Sequence, residues 1–265
     1  MNFSPTSNMI AEKAGPVGRL VFNKPQKHNA TSTDMWEAIP VILDEFEKDP
    51  AIRVVVVTGA GDKAFVSGAD ISEFEKARNT PEQVAYYDKI GEIANARLNK
   101  CSKPTIARIR GYCIGGGLAV ALLCDIRIAA EDARFMLPEV GHGVIPDTGG
   151  VGRLYQMCGH GVVSDMVLTG RPMSAQEALS HGVVSRVVPN DELDATAREM
   201  AEKIAAAPAV TVKLARRVIR HLSEESVRSS MEDELIYQTF INKSDDFAEF
   251  RAARAEDRTP RYTGS

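Results

Sequence analysis

Three consecutive glycines sit inside Gly111-Tyr-Cys-Ile-Gly-Gly-Gly-Leu-Ala-Val-Ala-Leu-Leu-Cys-Asp125, and this stretch constrains the chain most. A short β-rich run, Thr105-Ile-Ala-Arg-Ile109, precedes it. Leu118 to Leu123 follows, apolar on every side, which reads as a buried helix. The glycines therefore stand where a strand turns into a helix. Backbone N–H groups at that point have no intrahelical partner and lie at the positive end of the helix dipole. Without side chains in the way, they suit an anion, or an oxygen that becomes anionic during a reaction. Close packing of helix on strand explains the same cluster equally well.

The rest of the composition narrows the class. With 265 residues the chain is long enough for one large core plus an appendage, or for two domains. A net charge of −4 argues against a nucleic-acid partner or an anionic membrane surface. Cys101, Cys113, Cys124 and Cys158 show no metal-ligand spacing, so they read as reduced thiols of a cytoplasmic protein. The first 15 residues lack a signal-peptide stretch. The longest uncharged apolar run, Ile114–Cys124, is too short for a bilayer, which takes about 20 residues.

In chain order, Met1–Ala14 reads as a ragged start and Val17–Phe22 as a strand. Ser32 is placed to cap a helix bearing Met35, Ile39, Ile42, Leu43 and Phe46 on one face, with a kink at Pro40. Arg53–Thr58 is a continuous β-branched strand, which points to a parallel sheet buried on both faces. Gly59-Ala-Gly-Asp-Lys-Ala64 fits a dinucleotide fingerprint, but Phe65–Asp70 reads as a strand and turn rather than the helix such a loop must open. Glu73–Lys100 is helical in pattern with a restart at Pro81. Asp125–Ala130 and Arg134–Met136 read as strands, and Leu137–Gly150 as a loop carrying Glu139, His142 and Asp147. Val151–Gly159 and Gly161–Thr169 read as helices. Units of strand, turn and helix thus run to about Val188 and wind as a right-handed spiral. Beyond Asn190-Asp191 the strand signals end, and 193–207, 210–222, 227–242 and 246–255 read as helices. The expected organisation is a core over residues 1–190 and a helical region over 191–265.

Several motifs, in order, resemble the crotonase superfamily, the enoyl-CoA hydratase/isomerase family. They are Val57-Thr-Gly-Ala-Gly-Asp-Lys-Ala-Phe-Val-Ser-Gly-Ala-Asp-Ile71, Lys103-Pro-Thr-Ile-Ala, Gly111-Tyr-Cys-Ile-Gly-Gly-Gly and Cys124-Asp-Ile-Arg-Ile-Ala. Leu137-Pro-Glu, Ile145-Pro-Asp-Thr-Gly-Gly, Leu168-Thr-Gly-Arg-Pro-Met-Ser-Ala-Gln-Glu-Ala and Gly182-Val-Val-Ser-Arg-Val-Val continue the match over nearly the whole chain. The resemblance implies an α/β fold, a ββα spiral with a C-terminal helical oligomerisation region, assembled as a homotrimer or a hexamer of paired trimers. It implies an acyl-CoA thioester as ligand and no separate cofactor, since coenzyme A is part of the substrate.

By position in the family, the N–H groups of Ala69 and Gly116 form an oxyanion hole for the thioester carbonyl, and Asp70 and Ile71 join them as substrate-binding residues. Family hydratases use two glutamates. One matches Glu139; the other falls at Ala119, which has no acid–base capacity. The resemblance therefore tips toward isomerase-type proton transfer over hydration, with a non-catalytic CoA-ester-binding or scaffold protein as the alternative. Glu139 reads as the acid/base, or else as an ion-pair partner of Arg134 or Arg153. Asp147 matches an acid of some family isomerases, or caps a helix starting at Thr148. His142 follows Glu139 by a metal-site spacing, but Gly141 and Gly143 disfavour a regular helix there, so no metal is expected. Lys24, Lys27 and His28 lie on the loop that relatives use near the adenosine end of CoA, or form a solvated turn. Lys213, Arg217 and Arg220 read as one solvated or intersubunit helix face.

Overall fold

The computed structural model describes residues 3–73 and 79–263, with the side chains of 222–230, 233, 235 and 240 excepted. Two sheets carry the chain. The first has six strands in the order β1 (Met9–Ala14), β2 (Val17–Phe22), β3 (Val54–Gly59), β5 (Thr105–Ile109), β7 (Ile126–Ala130) and β10 (Arg186–Val188). The second has four, β4 (Ala64–Val66), β6 (Tyr112–Ile114), β8 (Arg134–Met136) and β9 (Met173–Ser174). The chain visits the sheets alternately: β3 then β4, β5 then β6, β7 then β8. Within each sheet these strands run parallel. This is the α/β crotonase fold, two mixed sheets with C-terminal helices, as the resemblance implies.

Burial explains the strand types. Val54 to Val57 are all 6 % exposed or less, because one face of the large sheet meets helices and the other meets a second apolar layer. The first core packs α1 (Thr33–Lys48), α2 (Pro81–Asn99) and α3 (Gly116–Leu123). The second buries Leu193, Ala197, Ala201 and Ala205 of α6 (Leu193–Ala206), four positions on one stripe, against Val54, Val56, Ile106 and Ile128. The sheet and the start of the C-terminal helical region thus share a core.

Several local expectations change. Met9–Ala14 is not a ragged start. It forms an antiparallel hairpin with β2 through Gly15 and Pro16, with Gly15 in a left-handed conformation. The five expected positions of α1 are buried, but the helix runs through Pro40 as one element, and the Ser32 hydroxyl donates to Asp34 instead of capping. After β3 the chain bends directly into β4, so Gly59–Ala64 opens a strand and the dinucleotide reading fails on structure as well as on sequence. The expected helix from Glu73 falls partly on 74–78, outside the described residues; the described helix α2 starts at Pro81, capped by Thr80 and Gln83. Helices expected over 151–159 and 161–169 form α4 (Gly150–Thr169), kinked at Gly159. Those expected over 210–222 and 227–242 form one helix, α7 (Ala209–Ile241), since the polar stretch between them holds no Gly or Pro to break it. A short helix α5 (Ala175–Ser180) precedes β10, and α8 (Asp245–Ala255) ends the helical series.

Helix α7 folds back onto its own chain. Arg216 and Arg220 donate to the two carboxylate oxygens of Asp125 at 2.6 and 2.8 Å. Arg220 also donates to the Leu123 carbonyl at the C-terminus of α3, where a cation opposes the negative end of the dipole. Arg220 therefore docks the tail on the core, while Lys213 and Arg217 are the exposed residues of the expected basic face.

Candidate active site at the ends of three strands

Strands β4, β6 and β8 are neighbours running the same way, and their C-terminal ends lie side by side: Val66 pairs with Cys113, and Ile114 with Met136. The turn after β4 carries Gly68 and Ala69. The turn after β6 carries Gly115 and Gly116. The turn after β8 carries Glu139. Clefts at the C-terminal ends of parallel strands are where α/β proteins bind ligands.

Backbone geometry brings the three turns into contact. Gly115 adopts φ 55° and ψ −124°, and its N–H donates to the Met136 carbonyl at 2.9 Å. A methyl at Gly115 would stand 2.9 Å from Glu139 Oε1 and 4.0 Å from the Gly68 Cα, so absence of a side chain there is what lets the Glu139 carboxyl reach the glycine turn. Gly117 lies against the Val66 carbonyl. The close-packing reading of the glycine cluster holds at Gly117, whereas a methyl at Gly116 would meet nothing within 4 Å.

Two N–H groups of these turns are not used by the local backbone pairing. Gly116 is the first residue of α3, so its N–H has no intrahelical acceptor. Ala69 forms a parallel bridge with Thr31, in which Thr31 N–H donates to Gly68 O and Asp70 N–H donates to Thr31 O. In such a bridge the N–H of the middle residue, Ala69, faces away from the pairing strand.

Glu139 opens a 3-10 turn, Glu139–His142. Its Oε2 is buried and has no hydrogen-bond partner among the described residues, so the expected pairing with Arg134 or Arg153 does not engage that oxygen. Burial pushes its carboxyl up to about 7; the charge of Asp147 adds to the rise, and the residue's own N–H opposes it. Asp147 does not stand at the cap position expected of it. Helix α4 begins at Gly150 with Gly149 at the cap position and no side-chain cap.

The other residues singled out lie apart from this cleft or are otherwise engaged. Lys24 is buried, donating to Asp70 at 2.8 Å and to Glu73 at 2.9 Å; Lys27 donates to Asp70 at 2.9 Å. Burial disfavours the Lys24 ammonium, but its bonds to Asp70 and Glu73 outweigh that and raise its pKa. Asp70 pays the same burial penalty, and Lys24, Ser72 and Lys27 hold its carboxyl well below the usual range. Lys24 and Asp70 thus lock the turn that carries Ala69. Ile71 starts the 3-10 turn beside them. His28 is exposed, edge-on to Tyr112 at 5.8 Å. His142 stacks on Phe250 of α8 with ring centroids 5.1 Å apart, and burial, then Arg254, lowers its pKa. Ala119 is buried in α3 with the start of α4 against it: a methyl at Gly150 would lie 3.6 Å from its Cβ.

Sequence reasoning missed Glu234 and Gln238 on α7. They are 7 % and 5 % exposed, and Glu234 Oε2 accepts the Gly149 N–H at 2.7 Å. An acid in the run Met231-Glu-Asp-Glu-Leu235 looks solvated until the tertiary fold covers it. No local signal marks it.

Comparison with known proteins agrees with the fold. The enoyl-CoA hydratase/isomerase family profile matches residues 12–265. The chain is 41 % identical over 213 residues to a short-chain-enoyl-CoA hydratase of Clostridium acetobutylicum, covering 80 % of this chain and 81 % of that protein. It is 35 % identical to a carnitinyl-CoA dehydratase of Proteus mirabilis, over 94 % and 96 % of the two chains. The crystal structure of a carnitinyl-CoA hydratase from Mycobacterium avium superposes with a TM-score of 0.86 at 32 % identity, covering 98 % of this chain and all of the other.

Proposed function

The chain belongs to the enoyl-CoA hydratase/isomerase family, whose enzymes act on acyl-CoA, and from that premise we propose that it moves protons on an acyl-CoA thioester through an enolate held between three turns. The Ala69 and Gly116 N–H groups bind the thioester oxygen, which gains negative charge as the enolate forms. Glu139 takes a proton from the carbon next to the thioester, or from the carbon two bonds further, and returns it. One observation supports this reading above the rest: Glu139 presents a buried carboxyl oxygen, without a hydrogen-bond partner among the described residues, beside the glycine turn, and a carboxyl pushed up to about 7 suits a group that both takes and gives a proton.

Ala119 favours proton movement over water addition. Water addition needs one group to orient water and another to supply a proton to carbon, and two carboxylates divide that work. The names of the relatives are mostly those of hydratases and dehydratases, which is why the two activities must be measured side by side. The test follows solvent deuterium into the α-carbon of a panel of acyl-CoA thioesters, and hydration of crotonyl-CoA in parallel. Exchange or double-bond migration faster than hydration is the expected result. Hydration without exchange would overturn the preference. Neither reaction on any thioester, with binding retained, would favour a CoA-ester-binding or scaffold protein that keeps the fold.

For the CoA end, His28 is an exposed group of its loop, and Lys24 is better assigned to the Asp70 turn than to a phosphate. The free thiols fit a reducing, cytoplasmic setting. No helix among the described residues is long and apolar enough to cross a membrane. Val210, Leu214 and Val218 line one stripe of α7 and are 70, 54 and 64 % exposed. Such a stripe is costly in water. Its burial in a homotrimer, or a hexamer of two trimers, is the expected outcome of sedimentation; a monomer at micromolar concentration would refute it.

A further inference from the structure

We propose that Glu234 and Gln238 of α7 are positioning residues that fix the Pro146–Asp147 corner, and with it the Asp147 carboxylate, beside Glu139. This inference rests on the assignment of Glu139 as acid/base and goes beyond it, because it makes the C-terminal helix part of the site.

The geometry is a two-rung brace. Residues 234 and 238 stand one turn apart on the same face of α7. Glu234 Oε2 accepts the Gly149 N–H at 2.7 Å, and Gln238 Oε1 accepts the Ile145 N–H at 3.1 Å. These two N–H groups bracket Pro146, Asp147 and Thr148. Pro146 has no N–H of its own and a fixed φ, so the corner is held from both sides and stiff in the middle. The hinge next to it is not self-supporting. Gly149 adopts φ 70°, and a methyl there would stand 2.9 Å from Met231 Sδ, so α7 lies directly on the loop. Further along, the Tyr262 hydroxyl donates to the Gly141 carbonyl at 2.8 Å and Phe250 stacks on His142, so the C-terminal region also holds the turn bearing Glu139.

The brace needs a hydrogen-bond acceptor at position 234, not an acid. Glutamine accepts the same N–H without the cost of burying a charge. Yet Glu234 is a carboxyl with Oε1 buried and without a hydrogen-bond partner among the described residues. Burial pushes it up to about 7; Asp147 adds to the rise, while the Gly149 N–H and Arg153 of α4 oppose it. Asp147 raises Glu139 as well. The Asp147 charge thus acts on both carboxyls, secondary to their burial, and the brace holds the corner that carries it.

The test measures kcat and KM for α-proton exchange of butyryl-CoA in deuterated water, from pH 5 to 9, together with melting temperature. Glu234→Ala and Gln238→Ala are each expected to lower kcat about 10-fold with KM changed less than 3-fold. Both should move the acid limb of the profile below about 7, since Asp147 is no longer held where its charge raises Glu139. Glu234→Gln keeps the acceptor and should recover most of kcat with the limb in place. In an Asp147→Asn background Glu234→Ala should cost little more, because the residue acts through Asp147. Wild-type kcat and profile in both alanine variants would overturn the proposal, as would additive losses, or Glu234→Gln as impaired as Glu234→Ala. If Glu234→Ala does not fold, Gln238→Ala and Glu234→Gln decide. Glu139→Gln runs alongside: loss of exchange there with normal α7 variants sinks only this inference, whereas exchange retained in Glu139→Gln, or absent from the wild type, sinks the site assignment and this inference with it.

Discussion

Glu139→Gln is expected to lower α-proton exchange by about 10²-fold or more, the usual range for loss of a positioned acid–base group. The amide keeps the shape and cannot take a proton. In the unaltered protein, exchange should fall as pH drops below about 7, because the base must be ionised to act. The same shift makes a stability prediction of opposite sense. The folded carboxyl titrates near 7 against 4.5 as a free group, so the folded state holds its proton more tightly. Stability tied to Glu139 is therefore full below about 4.5 and is lost as pH rises through about 7. Glutamine removes that loss. The shift is worth about 3 kcal/mol, so Glu139→Gln should melt higher than the unaltered protein at pH 8, by roughly 6–12 °C, and no higher at pH 4.5. A variant that exchanges protons normally would mean that Glu139 is not the base, and one that gains stability equally at both pH values would mean that burial does not raise its pKa.

How much of this was legible follows from the range of each interaction. The strands of the spiral carry their own signal, since Val54–Val57 is apolar on both faces only in a sheet covered twice. The glycine turn is legible because its constraint is local: a strand end, three residues without Cβ, and a helix with no polar face. The hairpin of β1 was lost because Met9 and Ala11 alone make a weak alternation, and it is the pairing with β2 that fixes them. The two helices expected over 210–222 and 227–242 are one, because the stretch between them holds no Gly or Pro to break α7.

Side-chain assignments fail for a different reason. Lys24 looks like a phosphate ligand in a polar loop, and only the fold brings Asp70, 46 residues away, against it. Asp147 looks like a cap because a helix follows, but the helix starts later, at Gly150. Glu234 approaches the loop across 85 residues of chain and leaves no trace in its own neighbourhood. Sequence marks the residues whose backbone must be special. It does not mark those whose partner comes from elsewhere.

The adjacent glycines Gly116 and Gly117 should respond in opposite ways, and this separates donor from packing. Gly116 is the first residue of α3, a position where proline is tolerated because its missing N–H has no intrahelical role. Gly115 before it is not helical, so the restriction that proline imposes on its predecessor is met. Gly116→Pro should therefore fold and melt within a few degrees of the parent while kcat falls about 10²–10³-fold, the cost of one oxyanion donor. Gly116→Ala keeps the N–H and meets no protein atom, so it should melt like the parent, and its turnover reads whether the methyl reaches the bound thioester. Gly117→Ala is the reverse case. Its methyl would stand 2.8 Å from the Val66 carbonyl carbon and closer still to the oxygen, and both are backbone, so α3 and β4 must separate. Overpacking of this kind typically costs about 1–3 kcal/mol, and more where backbone must move. Val66 leads into Gly68 and Ala69, so the same displacement pulls the second donor away from the first. Gly117→Ala should thus lose stability and turnover together. A Gly116→Pro protein that turns over normally, or a Gly117→Ala protein that melts like the parent, would show that the N–H at the start of α3 is not the group that holds the oxyanion, or that the turn is not packed as tightly as its geometry implies.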